Sequence, residues 1–283
     1  MSILHDERLN ICLLEDTLWM LTKLIGKANY DFAFEQLFHC AHKYQLPTPL
    51  TAIARVGARD DYTAFYNALQ QAGVSLIHSP SDHAKASELP HWYPLIMDLT
   101  PRSRWFSTMP SLETIIAEFD FPFFVKGARQ TSKHQKSLSI IENADAFANL
   151  VQQYKNDPIL HWQDVVVREY LPLRPIANDN SDSIPPSFEF RTFWYKGQLV
   201  GAGHYWFEMP AYKWSASEKA DALAIASQVA QRVDVPFLVV DVAQRTDGQW
   251  IVIECNDGQE SGYAGISPIT LWRNIRDIEK SRS

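Results

Sequence analysis

Cysteine is scarce: Cys12, Cys40 and Cys255 are the only three in 283 residues. So odd and sparse a set cannot form a disulfide framework and fits a reducing compartment. Basic charge is not in excess, with 26 Lys and Arg against 33 Asp and Glu and a formal charge of −7. That excludes a surface gripping nucleic acid throughout, though a local basic groove is still allowed. No apolar run approaches the roughly 18 residues of a membrane span. The opening stretch MSILHDERLN lacks the basic-then-apolar order of a signal peptide. A cytoplasmic location is therefore expected, with neither membrane nor nucleic acid as partner. There is no internal repeat, Walker loop, dinucleotide fingerprint or G-x-S-x-G elbow. What is plentiful is apolar and aromatic, at 46% and 12% of residues. That suffices for a sizeable core and excludes intrinsic disorder.

Phe34, Leu37, Phe38 and Ala41 predict a helix over 30–44. Asp60 and Asp61 before Tyr62, Phe65, Tyr66 and Leu69, with Gly73 beyond, predict a second, capped helix. A strand is expected over 74–77. Segment 78–110 contains Pro80, Pro90, Pro94, Pro101 and Pro110, which break periodicity. The domain boundary therefore falls near Thr100–Pro101 and divides the chain into 1–102 and 103–283. In the second part, strands are expected over 123–125, 138–141 and 165–167, with Asn143 capping a helix after the second. A polar loop spans 174–187, and Lys196-Gly197 marks a hairpin. Ser215 and Glu218 form a capping box, and Asp247-Gly248 marks a further hairpin.

That last hairpin carries chemistry. If Asp247-Gly248 is a two-residue turn, Thr246 pairs with Gln249 and Asp241 falls opposite Glu254. Facing carboxylates in apolar strands are destabilising. A divalent cation removes the conflict, and alternation places Asn256 on the same face as a further oxygen ligand. Such a set suits Mg²⁺. The alternative is that one acid is protonated or that both reach solvent. Lys126 ends the apolar strand FPFFVK and needs an anion. The loop after it offers Arg129, Thr131, Ser132, Lys133, Lys136 and Ser137 to a polyphosphate, or is an ordinary basic hairpin. Arg191 is expected opposite Ala202 and Glu189 opposite His204, which leaves Arg191 to meet a phosphate or carboxylate or to pair with an acid. The segment Arg168-Glu169-Tyr170 reads as a connector between lobes, with backbone groups for an adenine edge and Glu169 for a ribose, or as a plain hinge. His39 and His42 lack a second metal-spaced pair, and Cys255 should point into the core.

The order of these signals resembles the ATP-grasp superfamily over roughly residues 103–265, and within it the R-two-K clade. The carrying segments are FVKGARQTSKHQKS, REYLPL through FEFRTFW, and Glu254-x-Asn256. The resemblance implies an α+β fold in which two lobes, about 103–170 and 171–283, clasp ATP, preceded by a small α/β domain. It implies ATP and Mg²⁺ as cofactors, with Asp241, Glu254 and Asn256 holding metal. Lys126, Ser132, Lys136, Arg168, Glu169, Tyr170 and Glu189 would bind nucleotide. Arg191 and Lys133 would be catalytic, Lys133 lying nearer the loop's centre than Lys136. The implied reaction is amide formation between a carboxylate and an amine through an acyl phosphate, with ADP released, in peptide or protein modification. A kinase on the same fold and a non-catalytic ATP-binding module are the alternatives, and a homodimer is allowed for.

Overall fold

The computed structural model describes residues 11–13, 50–129, 136–157, 160–177, 184–209 and 212–282. The helix expected over 30–44, the His39–His42 pair, Ser132 and Lys133 lie outside the described residues.

Strands β1 (Ile11–Leu13), β2 (Leu50–Ile53) and β3 (Val74–Leu76) form a parallel sheet in that order. Helix α1 (Tyr62–Gln71) connects β2 to β3 and buries Phe65 and Leu69 against Ala52 and Val74. Gly73 takes φ +86° in the turn that follows, a conformation that suits glycine. Asp61 precedes this helix but makes no side-chain cap. Its carboxylate is taken by Arg59, at 2.8 and 2.9 Å.

The proline-rich segment is more ordered than its composition suggests. It forms α2 (Pro80–Ser87) and α3 (Leu89–Ile96). Pro80 and Pro90 stand in first turns, where a missing N–H has no partner to lose. Ser79 and Asp82 close a capping box on α2. Leu89, Trp92 and Ile96 of α3 enter the same core as the C-terminal lobe.

The middle of the chain builds an antiparallel sheet from β4 (Ser103–Phe106), β5 (Phe123–Gly127), β6 (Ile140–Ile141) and β7 (Val165–Glu169), ordered β4-β7-β5-β6. One face carries Phe123, Val125, Val165 and Val167 into a core shared with two helices. These are α4 (Leu112–Ile116), which contributes Ile115, and α5 (Ala144–Tyr154), which Asn143 caps. The other face carries Phe124, Lys126, Val166 and Arg168, since directly paired residues share a face.

The C-terminal lobe holds β8 (Glu189–Tyr195), β9 (Gln198–His204), β10 (Phe237–Gln244) and β11 (Trp250–Asp257), ordered β11-β10-β8-β9 and antiparallel. Helix α6 (Ala216–Val233) covers one face, packing Ala222, Ala226 and Val229 with Phe190, Val240, Val242 and Cys255. Helix α7 (Pro268–Arg282) covers part of the other, packing Leu271, Trp272 and Ile275 with Phe193, Tyr195 and Val239. The uncovered end of that second face carries Glu189, Arg191, Asp241, Glu254 and Asn256. The α+β fold with a small parallel α/β sheet before it is thus as expected. Among the described residues no helix is long and apolar enough to cross a membrane.

Candidate active site

Asp241 does stand opposite Glu254, but by a different route from the one expected. The hairpin turn is one residue longer than a two-residue loop: Arg245 pairs with Gln249, and Gly248 takes φ +88°. That shifts the register so that Val242 meets Val252. A bulge at Ile253 then shifts it back. In the neighbouring hairpin, Lys196 and Gly197 form the expected two-residue turn, both with positive φ. An unexpected bulge near Val200 there places Arg191 opposite Gly203, not Ala202, and Phe190 opposite His204. Glu189 instead accepts the Tyr205 amide at 3.1 Å.

The conflict between the facing carboxylates is answered by two cations. Arg191 donates Nε and Nη2 to the two oxygens of Asp241, at 2.9 and 2.7 Å. Burial would lower the Arg191 pKa, but Asp241, Glu254 and Glu189 outweigh it and raise the group above its usual value. Lys126 reaches across from the middle sheet and donates to Glu254 Oε1. Asn256 Nδ2 lies 3.3 Å from the other Glu254 oxygen. Among the described residues no group of three His, Cys, Asp or Glu side chains is arranged to ligate a metal by itself.

Arg168 joins the lobes. Nε donates to Ser103 Oγ at 2.9 Å, and Nη1 donates to the Ile253 carbonyl at 2.7 Å. The bulge that restores register therefore also supplies the acceptor. Nη2 is buried without a hydrogen-bond partner among the described residues. Burial lowers the Arg168 pKa to about 10, with Glu254 opposing the shift.

Between the two polar faces lies a cavity of about 170 Å³. Lys126, Arg168, Glu169, Tyr170, Glu189 and Glu254 line it together with Phe124, Ile140, Leu171 and Ile251. Arg191, Asp241 and Asn256 do not line it but adjoin it through Glu254 and Glu189. Lys136 opens a 3₁₀ turn, Lys136–Leu138, and is not among the lining residues described. Cys255 is buried in the core, where burial pushes its thiol well up, as the core reading expected.

A sequence profile for the ATP-grasp domain, R-two-K clade family 3, matches residues 89–275. The chain belongs to the ATP-grasp family. Among solved structures it resembles a RimK-domain ATP-grasp protein from Sphaerobacter thermophilus, at 16% identity over 75% of this chain and 73% of that one, with a TM-score of 0.53. It also resembles the D-alanine–D-alanine ligase of Bacillus anthracis, at 13% identity over 82% of each chain and a TM-score of 0.56. At these identities the likeness is one of fold. No curated protein matches the chain.

Two features in and around this candidate site are not legible in the sequence. Arg129, read as a loop cation, is buried and donates Nη2 to Glu260 Oε2 at 2.8 Å. Trp206 lines the cavity and donates Nε1 to Glu189 at 3.2 Å. The only signal for Trp206 was its place directly after an aromatic hairpin.

Proposed function

We infer that the chain is an ATP- and Mg²⁺-dependent ligase joining a carboxylate to an amine, with a peptide or protein among its substrates. One observation carries the reading: the polar face of each sheet meets the other, so that Lys126 touches Glu254 at the rim of a cavity that both sheets line.

The residues present fit a nucleotide. The cavity lining offers apolar side chains for a base and the cations Lys126 and Arg168 for phosphate. Nη2 of Arg168, without a hydrogen-bond partner among the described residues, is a buried donor that a phosphate oxygen would satisfy. Two carboxylates and a carboxamide are too few to enclose Mg²⁺, which usually keeps substrate phosphates among its ligands. Asp241, Glu254 and Asn256 would hold it, and it would neutralise phosphate charge.

This chain's own work is placement and charge. Lys126 and Arg191, with Lys133, would offset the charge developing on the transferred phosphoryl group. Attack by the substrate carboxylate would yield an acyl phosphate and ADP, and the amine would then displace phosphate. Glu169 and Tyr170, at the lobe junction, would take the nucleoside end. Residues 1–100 would confer acceptor specificity, in a chain divided into a leading domain, 1–102, and an ATP-clasping domain, 103–283.

The test is a coupled ADP-release screen over amino acids and short peptides with Mg²⁺ present, followed by mass spectrometry of the products. ADP release that needs both a carboxylate and an amine, with an amide as product, is expected. A phosphorylated hydroxyl as product would replace the ligase reading with a kinase. Asp241→Asn and Glu254→Gln should each lower turnover by about 10²–10³-fold. Full turnover in either variant would remove that residue from the metal assignment.

A further inference from the structure

Glu254 is followed three residues later by Asp257, the last residue of β11, and Lys126 three residues later by Arg129. The Glu254 strand thus ends on a carboxylate, a guanidinium stands two residues beyond the end of the Lys126 strand, and one imidazole ties the two. His83, on α2, has Nδ1 at 3.0 Å from Asp257 Oδ2 and Nε2 at 3.0 Å from Arg129 Nη2.

The roles in these bonds are determined by the partners. A guanidinium can only donate, so Nε2 accepts and the ring hydrogen sits on Nδ1, donating to the carboxylate. The plane of the ring is held by Tyr62, stacked at 3.7 Å between centroids and 3° from parallel. Each end is fixed further. Asp257 accepts from His78 Nδ1 at 2.8 Å and from the Gln259 amide at 2.7 Å. Arg129 donates to Glu260 and to the Arg59 carbonyl, and its amide donates to Gln163 at 2.8 Å. His83, Arg129 and Asp257 are all buried.

We propose that His83 is a positioning residue for the nucleotide site: it sets the distance between the Lys126 strand and the Glu254 strand, and so the placement of the phosphates between them. The proposal rests on the reading that Lys126 and Glu254 serve a nucleotide. A planar ring with a donor at one edge and an acceptor at the other fixes a span that no flexible side chain can hold. Residues of the small leading domain would therefore act on the phosphate site without touching the nucleotide. A merely structural histidine would act on fold stability, and its loss would weaken every ligand alike.

His83→Asn keeps an N–H near the position of Nδ1 and removes the acceptor facing Arg129. His83→Gln keeps a polar atom near Nε2 and removes the donor to Asp257. Both variants are compared with the unmodified protein for two probes: AMP-PNP with Mg²⁺, by calorimetry, and adenosine, by ligand-observed NMR. Thermal unfolding identifies a variant that has not folded, and the other variant then carries the comparison. A loss of about tenfold for AMP-PNP is expected, the usual scale for removing a partner that orients a binding group. Adenosine, which has no phosphate, should change by less than about twofold, the scatter expected of independent sites. An equal loss for both probes, or no loss for AMP-PNP, overturns the proposal. Failure of the unmodified protein to bind AMP-PNP at all would instead remove the nucleotide reading, and this inference with it.

Discussion

Arg168 carries the charge-burial problem of this molecule in one side chain. It is almost wholly buried, yet its Nε and Nη1 bond to groups from different lobes, Ser103 and Ile253. At a pKa of about 10 it still carries its charge at neutral pH. Lysine at this position would keep the charge but offer no planar fork. Arg168→Lys should therefore leave one acceptor unpaired and cost about 1–3 kcal/mol, read by urea denaturation. An unchanged midpoint would mean that the bridge contributes nothing to stability. Lys126, Asp241 and Glu254 were legible in the sequence because a charge inside an apolar strand demands a partner. Their partners were not legible. Lys126 and Glu254 are 128 positions apart, and no local pattern relates them. The same distance problem concealed the role of Arg129.

At the scale of elements, local rules performed well wherever the partner group was also local. Ser215 and Glu218 close their capping box as expected, each side chain bonding the other's backbone amide. Ser215→Ala should destabilise the protein by about 1 kcal/mol, measured by chemical denaturation. The Glu218 carboxyl is held below its usual range by the Ser215 amide first, then by the Ser215 hydroxyl and Arg174. Its folded pKa is depressed, so its contribution is present above the unfolded value of about 4.3 and fades as pH falls below it. Denaturation of Glu218→Gln and the unmodified protein should differ at pH 6 and converge towards pH 3. A constant difference across that range would show that the charge does not matter there. Local rules failed where geometry lay between elements. By composition the prolines of 78–110 are breakers, but Pro80 and Pro90 stand in the first turns of helices. Bulges leave no composition signature, so the sheet registers came out right at Asp241 only because the longer turn and the Ile253 bulge cancel.

At the scale of the whole molecule, the leading residues and the ATP-grasp lobes share buried polar groups. Gln259 Oε1 accepts the Ala54 amide at 3.0 Å, and Gln259 Nε2 donates to Tyr62 at 2.9 Å. Asp257 is held by His78 and His83. Burial would raise the Asp257 pKa, but the two histidines keep it well below the usual carboxylate range. A fragment covering only the matched span 89–275 would leave Asp257 and Gln259 without these partners. Unpaired buried polar groups cost about 1–3 kcal/mol each, more when charged. Such a fragment should show no cooperative thermal transition, whereas the full chain should show one. A sharp transition in the fragment would make the lobes independent of what precedes them.

By itself the sequence determined the fold class, the strand and helix framework of the second half, and which residues carry charge where charge is costly. These follow from period, caps and turns, each of which acts over a few residues. Only the tertiary structure decided which charge answers which: Arg191 with Asp241, Lys126 with Glu254, and Arg168 with the carbonyl that a bulge exposes. It also decided that α3 belongs to the core of the C-terminal lobe and that His83 joins the end of β11 to the segment that follows β5 in a separate sheet. Such contacts depend on packing between distant segments, where a one-residue shift in register changes every partner and leaves the local pattern unaltered.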